Sequence, residues 1–212
     1  MSRRFIRANT EIASPPLLPS IRLHLATEIT PIWHATEALL EREGVAPPFW
    51  AFAWAGGQAL ARFVTDHPDQ VAGRAVLDLG SGSGLVAIAA RLAGAARAVA
   101  ADIDPVAAEA ASMNAELNDV TIETVSEDLI GTAIAAEIVL VGDLCYERPL
   151  AERLVRWLRR LASGGVTVLV GDPGRAYLPA DGKALLARYL VPTSLELEDR
   201  TERDTAVWRL LP

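Results

Sequence analysis

The chain has 212 residues, 51% hydrophobic and 22% charged, a balance that fits a folded soluble protein and excludes a disordered one. That length suits one α/β domain with a short appendage, and no apolar run approaches a membrane span. A net charge of −7 argues against a partner held by its phosphates, because nucleic-acid affinity rests on clustered Lys and Arg.

The opening MSRRFIRANTEIASPP is basic but has no apolar core, so it does not read as a secretory signal. ASPPLLPS, residues 13–20, reads as an irregular proline-rich lead-in. TPIWHATEALLEREG predicts a helix over 30–44, with Thr30 as cap, Pro31 in the first turn and Gly44 as terminator. VAPPFWAFAWAGG is an aromatic connector leading into a short helix over 58–66. These parts form an N-terminal extension, residues 1–68, expected to cover a site on the core, residues 69–212, within one structural domain.

From Arg74 strands and helices alternate. RAVLDLG, ARAVAAD, VTIETVS, EIVLVGD and VTVLVGD read as strands, and GLVAIAARLAG, DPVAAEAASMNAELN and ERPLAERLVRWLRRLASGG as helices between them. In the last of these, Leu150, Leu154, Val155, Leu158 and Leu161 mark a buried face, and RLVRWLRR is taken as largely a solvated one. GKALLARYL predicts a further short helix, and TSLELED with DTAVWRLLP an antiparallel hairpin. The expected fold is α/β: a Rossmann-like, doubly wound, mainly parallel seven-stranded sheet with a C-terminal antiparallel hairpin and an N-terminal helical appendage. A lone cysteine, Cys145, makes a reducing compartment, the cytoplasm, the expected setting.

LDLGSGSGLVAIAA, starting at Leu77, places three glycines between a strand and a helix, where backbone must approach a ligand closely. A P-loop would need Lys-Ser or Lys-Thr after its glycines, and none follows. A dinucleotide fingerprint would need G-x-G-x-x-G, but Gly80, Gly82 and Gly84 alternate and Leu85 stands where the third glycine belongs. The alternating form, with Asp78 two residues ahead, resembles motif I of the class I S-adenosylmethionine-dependent methyltransferases. Asp102, about twenty residues on at the end of the next strand, suits a carboxylate for two ribose hydroxyls, and Asp104-Pro105 reads better as a helix cap. Asp128, after the third strand, corresponds to the acid that this fold sets against the adenine amino group, or is a solvated surface acid.

Two further stretches, Trp54-Ala55-Gly56-Gly57-Gln58 and Asp143-Leu144-Cys145-Tyr146, resemble the W-P-G-G-Q and D-x-x-Y elements of the seven-β-strand protein lysine methyltransferases. Within them the likeness is to the electron transfer flavoprotein β-subunit lysine methyltransferases, over roughly residues 25–210. Ala55 stands where that family has proline, and Cys145 where it often has Phe. The resemblance implies S-adenosylmethionine as cofactor, S-adenosylhomocysteine as product and a protein substrate, the electron transfer flavoprotein β subunit. Charge and hydropathy argue against a nucleic acid or membrane partner, and a monomer is the expected state. The resemblance also implies cofactor contacts from Trp54, Gly57, Gln58, Asp78, Gly80, Ser81, Gly82, Gly84, Asp102, Ile103, Asp128 and Leu129, with Gln58 toward the methionine carboxylate. Trp50 and Trp54, with Phe49 and Phe52, would line a lysine channel or cover the cofactor, unless the appendage helix simply packs there. Asp143 and Tyr146 would position the acceptor; alternatively Asp143 caps the following helix and Tyr146 packs. His24, His34 and His67 lack metal-ligand spacing, so no metal is expected. Acceptors of the same fold remain open: a small-molecule amine or a ribosomal-protein lysine. An adenine or amide acceptor would call for [ND]-P-P-[YF], which Asp143-Leu144-Cys145-Tyr146 does not supply.

Overall fold

The computed structural model describes residues 2–27, 30, 32, 47–194 and 199–212. The helix expected over 30–44 lies outside the described residues apart from Thr30 and Ile32. The N-terminus holds more order than its sequence suggested. Helix α1 (Ser2–Asn9) is followed by strands β1 (Glu11–Ala13) and β2 (Leu23–Leu25), which pair antiparallel as a separate two-stranded sheet. A single-turn 3-10 helix, Phe49–Ala51, then precedes α2 (Ala55–Asp66), which begins three residues earlier than expected.

The core follows as β3 (Ala75–Leu79), α3 (Leu85–Leu92), β4 (Arg97–Ala101), α4 (Pro105–Leu117), β5 (Glu123–Val125), β6 (Ile138–Gly142), α5 (Arg148–Ser163), β7 (Thr167–Asp172), β8 (Lys183–Pro192) and β9 (Glu202–Leu210). Its seven-stranded sheet has the order β5-β4-β3-β6-β7-β9-β8, parallel from β5 to β7 and antiparallel at β9 and β8. The central strands are apolar on both faces because helices cover both. Val76, Ile138, Leu140 and Leu169 pack with α2 and α3, while Leu77, Leu79, Val139, Val141, Val168 and Val170 pack with Leu154, Val155 and Leu158 of α5. Asp104 caps α4, accepting from the Val106 N–H at 2.8 Å, with Pro105 at the first helical position.

One element departs from its predicted type. GKALLARYL is not a helix but most of β8, the outer strand of the hairpin, and part of TSLELED lies outside the described residues. Ala and Leu favour helix, yet Ala187, Tyr189 and Val191 alternate inward onto the core and the backbone pairs along β9 from Lys183↔Leu210 to Pro192↔Glu202. Sheet pairing overrides a weak local preference, and a register shift between Leu185 and Ala187 hides the alternation at its start.

The strand order reverses at β3, whose neighbours are β4 on one side and β6 on the other. At such a switch point the connections from the carboxyl ends of the strands leave in opposite directions and open a crevice between them.

Candidate active site

A cleft of about 500 Å³ occupies that crevice, above the ends of β3, β4 and β6. Its first wall is the glycine loop. Gly80 and Gly82 line the cleft, and Gly84 turns the chain into α3 at φ 76°. A Cβ on Gly84 would stand 2.7 Å from the Ala111 Cβ of α4, so only glycine lets α3 start this close to its neighbour. Asp78 shares the strand face of Val76 and therefore points under the loop, away from the cleft; its Oδ2 accepts from the Ala87 N–H of α3 at 3.0 Å. Burial pushes its carboxyl up to about 7, against the opposing pull of that N–H. Ser81 is also buried beneath the loop, with its hydroxyl unbonded among the described residues.

Asp102 follows β4 and lines the cleft. Its Oδ2 accepts from the Gly82 N–H at 2.9 Å and its Oδ1 from the Asp104 N–H at 3.0 Å, which ties the loop to the strand end. Burial raises its pKa, while those amides work in the opposite direction. Beside it Ile103, 75% exposed, and Leu129 give the cleft an apolar flank. Asp128 lies there too, with Oδ2 taking the Arg153 guanidinium at 2.6 Å and Oδ1 the Ile130 N–H at 3.0 Å.

The opposite wall is built around Asp143, directly after β6. Its φ of 54° is left-handed, a region that Asp tolerates better than most side chains. The Asp143 N–H donates to the Gly171 carbonyl at 3.2 Å. Its Oδ1 accepts from Arg175 Nε at 3.0 Å and from an Arg175 terminal nitrogen at 2.8 Å, and its Oδ2 accepts from the Gly56 N–H of α2. A helix cap it is not: Glu147 holds the N-cap position of α5, without a side-chain bond. Gly56 makes this junction possible, since a Cβ there would collide with the Gly171 carbonyl oxygen and the Asp143 carboxylate.

Over this wall stands an aromatic ridge. Phe49 meets Trp54 at 6.0 Å between ring centres and Tyr146 at 6.2 Å, and the Trp54 indole N–H donates to the Phe49 carbonyl at 2.9 Å. Phe49 and Tyr146 are half exposed, whereas Trp50 is buried against Phe5 while still lining the cleft. Burial raises the Tyr146 phenol above its ordinary pKa. Cys145 is buried and pushed up to about 12 by burial and the nearby Asp172 and Asp143, so its thiol stays protonated.

The structure thus gathers Phe49, Trp50, Trp54, Gly80, Gly82, Asp102, Ile103, Asp128, Leu129, Asp143 and Tyr146 around one cleft. Asp78, Ser81, Gly84, Gly57 and Gln58 are not among its lining residues. The expectation for Gln58 is corrected: it is buried, its amide donates to the Ala53 carbonyl at 2.6 Å and its Oε1 accepts from the Leu17 N–H at 3.4 Å. It faces a second cavity, which Phe52 shares. Gly57 is backbone filler beneath β6, since a Cβ on Gly142 would come within 3.0 Å of it. Sequence reasoning passed over Arg153, hidden in a stretch taken for a solvated face, and Arg175, although GDPGR follows a strand end as Asp102 and Asp143 do.

Residues 59–171 match the family model for ribosomal protein L11 methyltransferase (PrmA). Over 217 aligned residues the chain is 42% identical to the electron transfer flavoprotein beta subunit lysine methyltransferase of Xenopus laevis, covering 99% of this chain and 87% of that protein. The chain belongs to that lysine methyltransferase family. Its Rattus norvegicus member is 35% identical over 99% of this chain and 84% of its own. Among solved structures, the magnesium protoporphyrin IX methyltransferase of Synechocystis PCC 6803 shares the fold at a TM-score of 0.54 and 17% identity, over 73% of this chain and 80% of that one. In this chain the Asp143–Gly56 bond joins the two stretches that carry the resemblance, Trp54–Gln58 and Asp143–Tyr146, into one wall.

Proposed function

We propose that this chain is a protein-lysine N-methyltransferase that takes its methyl group from S-adenosylmethionine and acts on the electron transfer flavoprotein β subunit. The observation that carries this reading is the cleft itself, with the glycine loop and Asp102 on one wall and Asp143 beneath an aromatic ridge on the other. The residues fit the cofactor: Gly80 and Gly82 bring backbone to the cleft, Asp102 offers a carboxylate for ribose hydroxyls, and Ile103 and Leu129 offer an apolar face for adenine. Bound there, the cofactor supplies an electrophilic methyl group on a sulfonium. Asp128 already holds Arg153, so its part at adenine is shared with that ion pair.

A lysine ammonium has no lone pair, and near neutral pH only about one in a thousand side chains is neutral, a deficit of about 4 kcal/mol. Phe49, Trp54 and Tyr146 draw in the alkylammonium by their ring faces and shield it from water, which favours loss of its proton. Asp143 accepts a hydrogen bond from the amine and fixes its direction of approach; the remaining acceleration comes from alignment. The single cysteine supports a cytoplasmic setting.

Incubating the chain with S-adenosylmethionine and recombinant electron transfer flavoprotein, then mapping methyl groups by mass spectrometry, tests this reading. Methylated lysine on the β subunit is the expected result. The family-model match over residues 59–171 favours ribosomal protein L11 as a second acceptor, to be assayed in parallel. Methylation only of L11, or only of a small amine, overturns the proposed substrate.

A further inference from the structure

We infer that Arg175 is a positioning residue for methyl transfer, acting through Asp143; the inference rests on the role proposed for that carboxylate. Arg175 follows β7 in a turn that Asp172 holds, with Oδ1 accepting from the Gly174 N–H at 2.7 Å and from the Arg175 N–H at 2.9 Å. The turn delivers the guanidinium to Asp143, where two of its nitrogens reach one oxygen at 3.0 and 2.8 Å. The other Asp143 oxygen takes the Gly56 N–H. With both oxygens held from different elements, the carboxylate cannot rotate, and the direction it offers an approaching amine is fixed.

Side-chain exposures of 22% for Arg175 and 9% for Asp143 leave little water to screen the pair. This matters for the chemistry. A lone buried carboxylate would stabilise the lysine ammonium and oppose the deprotonation that attack requires. A carboxylate that shares its charge with a guanidinium still accepts a hydrogen bond from the amine but favours its charged form less. The planar fork suits this task, and a lysine at position 175 would supply only a point charge.

The test compares R175A, R175K, D143N and the D143N/R175A pair for kcat and KM with the protein acceptor, for cofactor affinity by calorimetry and for thermal stability. R175A is expected to lower kcat about 10- to 100-fold, with cofactor Kd changed by less than about threefold. R175K recovers only part of that loss, and R175A adds little to D143N because both act through one carboxylate. If R175A melts below the assay temperature, R175K carries the test: reduced kcat at unchanged cofactor affinity supports the inference, and parental kcat overturns it. Normal turnover in R175A, losses that multiply in the double variant, or a methyl group on residue 175 of R175K overturns it as well. Full turnover in D143N overturns the role of Asp143 and this inference together, whereas loss in D143N with normal turnover in R175A overturns the inference alone.

Discussion

Between Leu79 and Asp104, one strand–helix–strand unit supplies the loop wall of the cleft, and its shape rests on backbone: Gly80, Gly82 and the amides that hold Asp102. The facing wall draws Gly56, Asp143 and Arg175 from three parts of the chain, separated by 87 and 32 residues, and rests on side-chain charge. A wall made from one local unit can be preorganised before any substrate arrives, because its bonds hardly involve distant elements. The other wall exists only after α2, β6 and β7 have all docked. Cofactor binding and acceptor positioning are therefore expected to fail separately, and each substitution below addresses one wall.

The largest effect is expected on the loop wall. Asp102→Ala removes the proposed ribose acceptor and, with it, the anchors of the Gly82 and Asp104 amides. Two charge-assisted bonds at about 1.5–3 kcal/mol each predict a loss of S-adenosylmethionine affinity of two orders of magnitude or more, read by calorimetry. Unchanged affinity would remove Asp102 from the cofactor site. Gly56→Ala addresses the other wall. Its Cβ would strike the Gly171 carbonyl and the Asp143 carboxylate, so a backbone shift costing about 1–3 kcal/mol should lower the melting temperature. Turnover should fall further than cofactor affinity, because the displaced group is Asp143; equal falls in both would show that the two walls are coupled.

The same division explains what could be read from sequence. Asp102 and the glycine loop were recognisable because strand, loop and acid follow one another at fixed spacing. Gln58 was misplaced because a motif gives residue types and not directions: α2 begins at Ala55, and that start turns the Gln58 amide toward Ala53 and Leu17. Arg175 had a strand-end position but no partner nearby in sequence, and its meaning appears only when β7 lies beside β6. The strand β8 was hidden by Ala and Leu, whose helix preference is outweighed by pairing with β9.

A smaller effect belongs to Asp78, the buried brace beneath the loop wall. Its carboxyl is raised from 3.8 to about 7 in the fold, so the native state holds a proton that the unfolded chain has already lost over that interval. The sign follows: this group's contribution to stability is complete below about pH 4, declines as pH rises toward 7, and is gone above that. Its slope is at most about 1.4 kcal/mol per pH unit. Asp78→Asn keeps an oxygen for the Ala87 N–H and removes the titration, so the difference in stability between parent and variant should change with pH across this window. A difference independent of pH would mean that Asp78 titrates as an ordinary carboxyl.

The smallest expected effect is no change at all. Lys183 is the chain's only lysine, while its other cationic side chains are arginines apart from histidine. Its ammonium donates to the Pro179 carbonyl and sits 4.8 Å from the centre of the Trp208 ring, at the start of β8 and outside the residues that line the cleft. A lysine held in this way must give up a hydrogen bond and a ring contact before it can enter the cleft of a second molecule. The loop wall can therefore be loaded with S-adenosylmethionine while the acceptor wall finds no lysine to use on its own chain. Incubation of the chain alone with cofactor should leave its intact mass unchanged, and a flavoprotein substrate added afterwards should collect all the methyl label. A methyl gain at Lys183 would show that the β8 end opens and reaches the cleft of another copy, and the acceptor wall would then have to admit lysines held in folded sheet.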